Sequence, residues 1–174
     1  MAPGRSTVPD DSGLRISRRG RGLRRLFTLV IVALLVFALV GLLGVRTTTI
    51  SAAGGGYRLQ LHYAKVVRPG LAVPWELRVT SAGGFDGPVT LATKSSYLDI
   101  YDENSLDPEP VHATQDGDRV IWQFEPPAGD TLVVSFDWRV EPGVQLKWPR
   151  GETSVLDEDG RPVATIRYRT WVTP

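Results

Sequence analysis

The sequence predicts a mainly β protein, an antiparallel β-sandwich of about seven to eight strands that follows one N-terminal transmembrane α-helix. Three observations predict it. An uncharged run from Leu26 to Val45 is closed by Arg25 and Arg46. Beyond Gly56, apolar and polar residues alternate with period two, the mark of strands buried on one face. The chain of 174 residues has no cysteine, so a single core must hold the domain together without disulfides.

The N-terminal elements come first. Residues 1–25 hold seven Arg against two Asp, and residues 1–14 are rich in Pro, Gly, Ser and Asp, which predicts a disordered basic tail. The run 26–45, at about 1.5 Å per residue, matches a hydrocarbon core of about 30 Å. Arg18, Arg19, Arg21, Arg24 and Arg25 crowd its N-terminal flank and are expected to set its topology. By the positive-inside rule the tail is then cytoplasmic, and the C-terminal domain is extracytoplasmic on a single-pass cell-membrane protein. The competing reading, a signal peptide cleaved after about Ala53, is disfavoured because signal h-regions run to only about 7–15 residues. Residues 46–56, Gly-rich at Gly54 to Gly56, read as a linker that keeps the domain close to the bilayer.

Strands are expected next. Tyr57, Leu59, Leu61 and Tyr63 alternate with Arg58, Gln60 and His62, and Val73, Trp75, Leu77 and Val79 with Pro74, Glu76, Arg78 and Thr80. Arg68-Pro69-Gly70 supplies the turn between them. Further strands are predicted at Val89 to Thr93, at Tyr97 to Tyr101, and around Val120, Trp122 and Phe124. The clearest strand carries Leu132, Val134, Phe136, Trp138 and Val140. A hairpin closes the domain, with Thr153 to Leu156 and Val163 to Val172 flanking a turn centred on Asp159-Gly160. Short strands with turn signals every 8–12 residues predict an immunoglobulin-like topology for residues 57–174.

Segments within residues 70–142, GLAVPWELRVTSAGGFDGPVTLAT and DGDRVIWQFEPPAGDTLVVSFDWRVEP, resemble bacterial immunoglobulin-like modules of the CARDB kind and related surface repeats. The resemblance covers about half the chain and implies a sandwich acting as spacer, adhesion unit or docking surface. A single copy in place of a repeat array departs from that pattern.

Charge and motif content narrow the function. Residues 46–174 hold 13 Lys and Arg against 17 Asp and Glu, a balance that argues against nucleic acid as a partner. No G-x-S-x-G elbow, H-E-x-x-H or P-loop occurs, so the sequence gives no sign of an enzyme and names no cofactor. Asp99, Asp102, Glu103, Asp107 and Glu109 form an acidic stretch without EF-hand spacing. A solvated loop is the simpler account of it, and metal-dependent carbohydrate or cell-wall binding or hydrolysis the alternative. His62 and His112 lie in no metal or triad motif, so no metal site is predicted. Trp148 and Trp171 fall outside the core alternation and, with Tyr97 and Tyr101, would make a binding patch if exposed together; capping of the sandwich ends is the competing role. The expected partners are the lipid bilayer and another membrane or envelope protein. Arg outnumbers Lys 17 to 3, a bias of high-GC bacterial genomes such as those of actinobacteria.

Overall fold

A computed structural model describes residues 18–39, 44–102, 106–144 and 146–173. The chain divides between Leu43 and Gly44 into two compact units. In the first, the described residues form one helix, α1 (Arg18–Leu39).

Among the described residues no helix is long and apolar enough to cross a membrane. That overturns the expected transmembrane helix at 26–45, and with it the single-pass anchor and the assignment of a cytoplasmic N-terminus and an extracytoplasmic domain. The helix starts inside the basic run, so its first two turns carry Arg18, Arg19, Arg21, Arg24 and Arg25. Its described uncharged part, Leu26 to Leu39, measures about 21 Å at about 1.5 Å per residue, against the roughly 30 Å of a hydrocarbon core. The far end of the expected span belongs to the second unit, where Val45 packs on the sandwich core. Residues 40–43 of that span and most of the expected disordered tail lie outside the described residues.

The second unit is mainly β, with antiparallel sheets in a sandwich-like arrangement. Its strands are β1 (Arg46–Gly54), β2 (Tyr57–Val67), β3 (Ala72–Ser81), β4 (Val89–Lys94), β5 (Tyr101–Asp102), β6 (Leu106–Asp107) and β7 (His112–Asp116). After these come β8 (Arg119–Phe124), β9 (Thr131–Val140), β10 (Arg150–Leu156), β11 (Pro162–Arg169) and β12 (Trp171–Val172). A helical turn, α2 (Ser95–Leu98), follows β4. One sheet runs β1-β2-β3-β9-β5, with β12 on β2 and β6 on β9; the other runs β11-β10-β4-β8-β7.

The expected linker is therefore a strand. Its Thr47-Thr48-Thr49-Ile50 run is β-branched, and it pairs with β2 from Arg46↔Val66 to Gly54↔Tyr57. The Gly55-Gly56 turn joins the two with φ of 54° and 85°, the positive pair that a two-residue hairpin loop of the primed type demands. The expected strand at Tyr97 to Tyr101 is instead α2 followed by β5. Tyr97, Leu98, Ile100 and Tyr101 are all buried, a spacing that suits a helical turn better than alternation.

Alternation places the core. Leu59 and Leu61 of β2, Trp75, Leu77 and Val79 of β3, and Val134 and Trp138 of β9 face Leu91, Trp122, Val155 and Ile166 of the second sheet within one buried cluster. Burying these side chains is the main stabilising term, about 1.5–3 kcal/mol for each large apolar group. Across β10 and β11, Gly151 lies opposite Tyr168. A Cβ on Gly151 would overlap Cε2 and Cζ of that ring, so only glycine lets the ring lie on the β10 backbone. Gly151→Ala is therefore expected to destabilise the domain by about 1–3 kcal/mol through overpacking. A lowered melting temperature measured by circular dichroism checks this; an unchanged one would mean that the ring is free to move aside.

Candidate functional site

Inside the sandwich, hydroxyl groups form a chain. Tyr97 Oη lies 3.0 Å from Tyr101 Oη and 2.8 Å from Thr170 Oγ1, and Thr170 Oγ1 donates to the Ala64 carbonyl at 2.9 Å. That last bond fixes the order: Tyr101 donates to Tyr97, and Tyr97 to Thr170. A second chain links Thr93 to Thr153 at 3.0 Å and Thr153 to Tyr168 at 2.9 Å. The Tyr97 ring meets Tyr168 edge-on at 4.7 Å, and Tyr101 stacks on Trp138 at 4.4 Å. Trp75 Nε1 lies near the Tyr168 phenol but outside hydrogen-bond geometry, and it is the one buried side-chain polar atom without a partner among the described residues. Burial is the largest cause pushing the Tyr97 phenol well above its ordinary value, with Tyr101 and Tyr168 adding to the shift and the Thr170 bond opposing it. Burial likewise raises Tyr101 and Tyr168. Tyr97 and Tyr101 are thus core residues, 1% and 5% exposed, and contribute nothing to a surface patch.

Trp148 and Trp171 are placed otherwise, 57% and 42% exposed and stacked on each other at 5.4 Å and 27°. The β10–β11 register makes them the end of a ladder. Arg150 lies opposite Arg169 and Glu152 opposite Arg167. The pairing continues through Lys147↔Val172, which brings Trp148 opposite Trp171. Gly151, Thr153, Tyr168 and Thr170 point inward and are buried. The residues between them, Glu152, Arg150 and Trp148 on one side and Arg167, Arg169 and Trp171 on the other, form the outer face. Arg167 Nε donates to Glu152 Oε2 at 2.7 Å. Among the described residues Arg150 and Arg169 have no ion-pair partner. Beside them is a groove of 530 Å³ lined by Lys94, Arg150, Arg167, Arg169 and Glu152, with Ile50, Tyr63 and Tyr168. Trp148 and Trp171, together with the parity of Arg167 and Arg169, are readable in the sequence; Arg150 and Lys94 enter only through register.

Elsewhere the chemistry is sparse. Among the described residues no three of His, Cys, Asp and Glu lie close enough to hold a metal ion; Glu103 of the acidic stretch lies outside them. His62 Nδ1 is 3.0 Å from Thr49 Oγ1, and His112 is exposed on β7. Asp157 and Asp159 serve their own turn, Asp157 Oδ1 accepting from Arg161 N at 2.8 Å and Asp159 pairing with the Arg161 guanidinium at 3.1 Å. A 720 Å³ groove at the other end of β10 is lined by Tyr57, Phe85, Asp86, Asp157 and Glu158, among others. It joins carboxylates to a stacked Tyr57–Phe85 pair and holds no nucleophile paired with a base.

No protein-family model matches the chain, and no curated protein matches it. Among solved structures, one described as AvmM, which catalyses macrocyclization in alchivemycin A biosynthesis, is 9% identical, with 74% of this chain and 89% of that chain covered and a TM-score of 0.35. A likeness of that grade carries no argument about function.

The buried phenols have a pH consequence. Their folded pKa values lie above the unfolded value near 10, so the folded state keeps its protons where the unfolded state loses them. This stabilisation is fully present below about pH 10 and is lost as pH rises above it. Melting temperature is expected to show no pH dependence from these tyrosines between pH 8 and about 9.5 and to fall steeply beyond. Phenolate absorbance from Tyr97, Tyr101 and Tyr168 should appear only as the fold opens, and early ionisation of all five tyrosines would contradict their burial.

Proposed function

We propose that the β-domain is a non-catalytic binding module that docks a partner protein on the outer face of β10, β11 and β12. The observation that carries this is the stacked, exposed Trp148–Trp171 pair beside two unneutralised arginines. Trp and Arg are the residue types that dominate binding hot spots, and large aromatic surface left in water is unfavourable unless a partner covers it. The sandwich-like arrangement of the sheets supports the finer reading as an immunoglobulin-like module of the CARDB kind, in which the sheets serve as a rigid frame for one displayed face. The Tyr168 ring seated on Gly151 supports such a role, since it fixes from the inside the strand pair that presents the ladder.

Trp148→Ala combined with Trp171→Ala is expected to leave the melting temperature within a few degrees of the parent and to abolish recovery of the partner. The experiment is in-cell crosslinking followed by affinity capture, with parent and variant compared side by side. A hot spot of about 2 kcal/mol corresponds to roughly thirtyfold in Kd for whatever protein is captured and then purified. Equal recovery by parent and variant would refute the docking role of this face.

A further inference from the structure

The Arg150–Arg169 pair is placed against its own interest. Residues directly opposite in an antiparallel pair have Cβ atoms about 4.5–5.5 Å apart, and like charges there repel. One step along the same ladder, Arg167 is neutralised by Glu152 at 2.7 Å. At the Arg150↔Arg169 step no carboxylate among the described residues takes that place. The adjoining 530 Å³ groove is lined by four cations and one carboxylate, and of the four only Lys94, with Asp118 at 3.9 Å, and Arg167 have an ion-pair partner among the described residues, in a domain that is otherwise acidic on balance. Two arginine side chains rooted at this Cβ spacing can reach one carboxylate, each donating in fork geometry.

We infer that Arg150 and Arg169 bind a carboxylate side chain of an extended acidic segment in the partner protein, with the Trp148–Trp171 pair taking an apolar residue two positions away. This rests on the docking reading above and assigns the chemistry of what docks. The spacing follows from the strands. Successive outward rows on a β-ladder are two residues, about 6.6 Å, apart, and so are same-side residues of an extended peptide. An acidic residue centred on the arginine row therefore puts the residue two along on the tryptophan row, giving the pattern acid, any residue, apolar.

The test uses the purified full chain and a short fluorescein-labelled peptide bearing Glu-Thr-Phe between threonines, read by fluorescence anisotropy. The Glu peptide is expected to bind at least about tenfold more tightly than its Gln counterpart, with the difference shrinking as salt is raised. Arg150→Glu should do two opposite things: raise the melting temperature, by giving Arg169 an opposite charge across the ladder, and weaken the Glu peptide at least about tenfold. Arg169→Gln, which adds no new pair, should weaken the peptide without that rise. The proposal is overturned if Glu and Gln peptides bind alike, if neither variant weakens binding, if the Glu peptide does not bind at millimolar concentration, or if polygalacturonate binds through Arg150 and the peptide does not. Should any of these occur while partner capture still depends on Trp148 and Trp171, the acidic segment alone is rejected. Loss of both dependences rejects the docking face as well.

Discussion

The seat of Tyr168 on Gly151 is the constraint from which much of the second unit follows. A ring laid across a neighbouring strand's backbone admits one residue type beneath it and one register between the strands. That register sends Thr153 inward to meet the Tyr168 hydroxyl and Thr93, tying β4 to β10 and β11 through hydroxyl groups. It also holds Tyr168 where the Tyr97 ring meets it edge-on, so the helical turn α2 is packed against the same point. Without a disulfide, the sheets are joined by apolar burial and by a polar seam in which nearly every hydroxyl answers another. Such seams are costly when a member is left unanswered, which favours one arrangement over its neighbours.

The same register has an outward face. Fixing Gly151 and Tyr168 inward puts Arg150 beside Arg169 and, through Lys147↔Val172, Trp148 beside Trp171. Core and display are two sides of one strand pair. Packing alone does not favour the outer side, since it sets two arginines directly opposite each other and leaves two indoles partly in water. A fold that keeps such a row in place has spent stability on it, which is the ground of the proposed docking role.

Much of the sandwich was legible in the sequence because its long strands alternate strictly. Trp75, Leu77 and Val79, or Val134, Phe136 and Trp138, admit no other period. The strand at Arg46 to Gly54 was hidden because its inward residues are Thr48, Ile50 and Ala52, too small or too polar to signal burial, and its Gly end resembles a linker. The strand at His112 to Asp116 is exposed along its whole length and so has no apolar pattern to read. Tyr97 to Tyr101 misled because aromatic residues four apart suit one helical turn as well as a strand. At the N-terminus, counting uncharged residues located an apolar run but could not show that Val45 at its end packs on the sandwich core. Of the site, the two tryptophans stood out by falling outside the core alternation. The arginine pair did not, because the register shifts between Val155 and Leu156, and a count back from the turn would have set Arg150 opposite Tyr168.

That shift bears on how this hairpin tolerates change. The tip from Asp157 to Arg161 is exposed and held by its own hydrogen bonds, so the identity of its residues is loosely constrained. Its length is not. One residue more or fewer, taken up where the strands already slip, would exchange the two faces of β11, burying the Arg167 and Arg169 guanidiniums and turning the Tyr168 phenol out to solvent. Substitutions at the tip should therefore be well tolerated while single-residue insertions and deletions are not, an unusual profile for a surface loop.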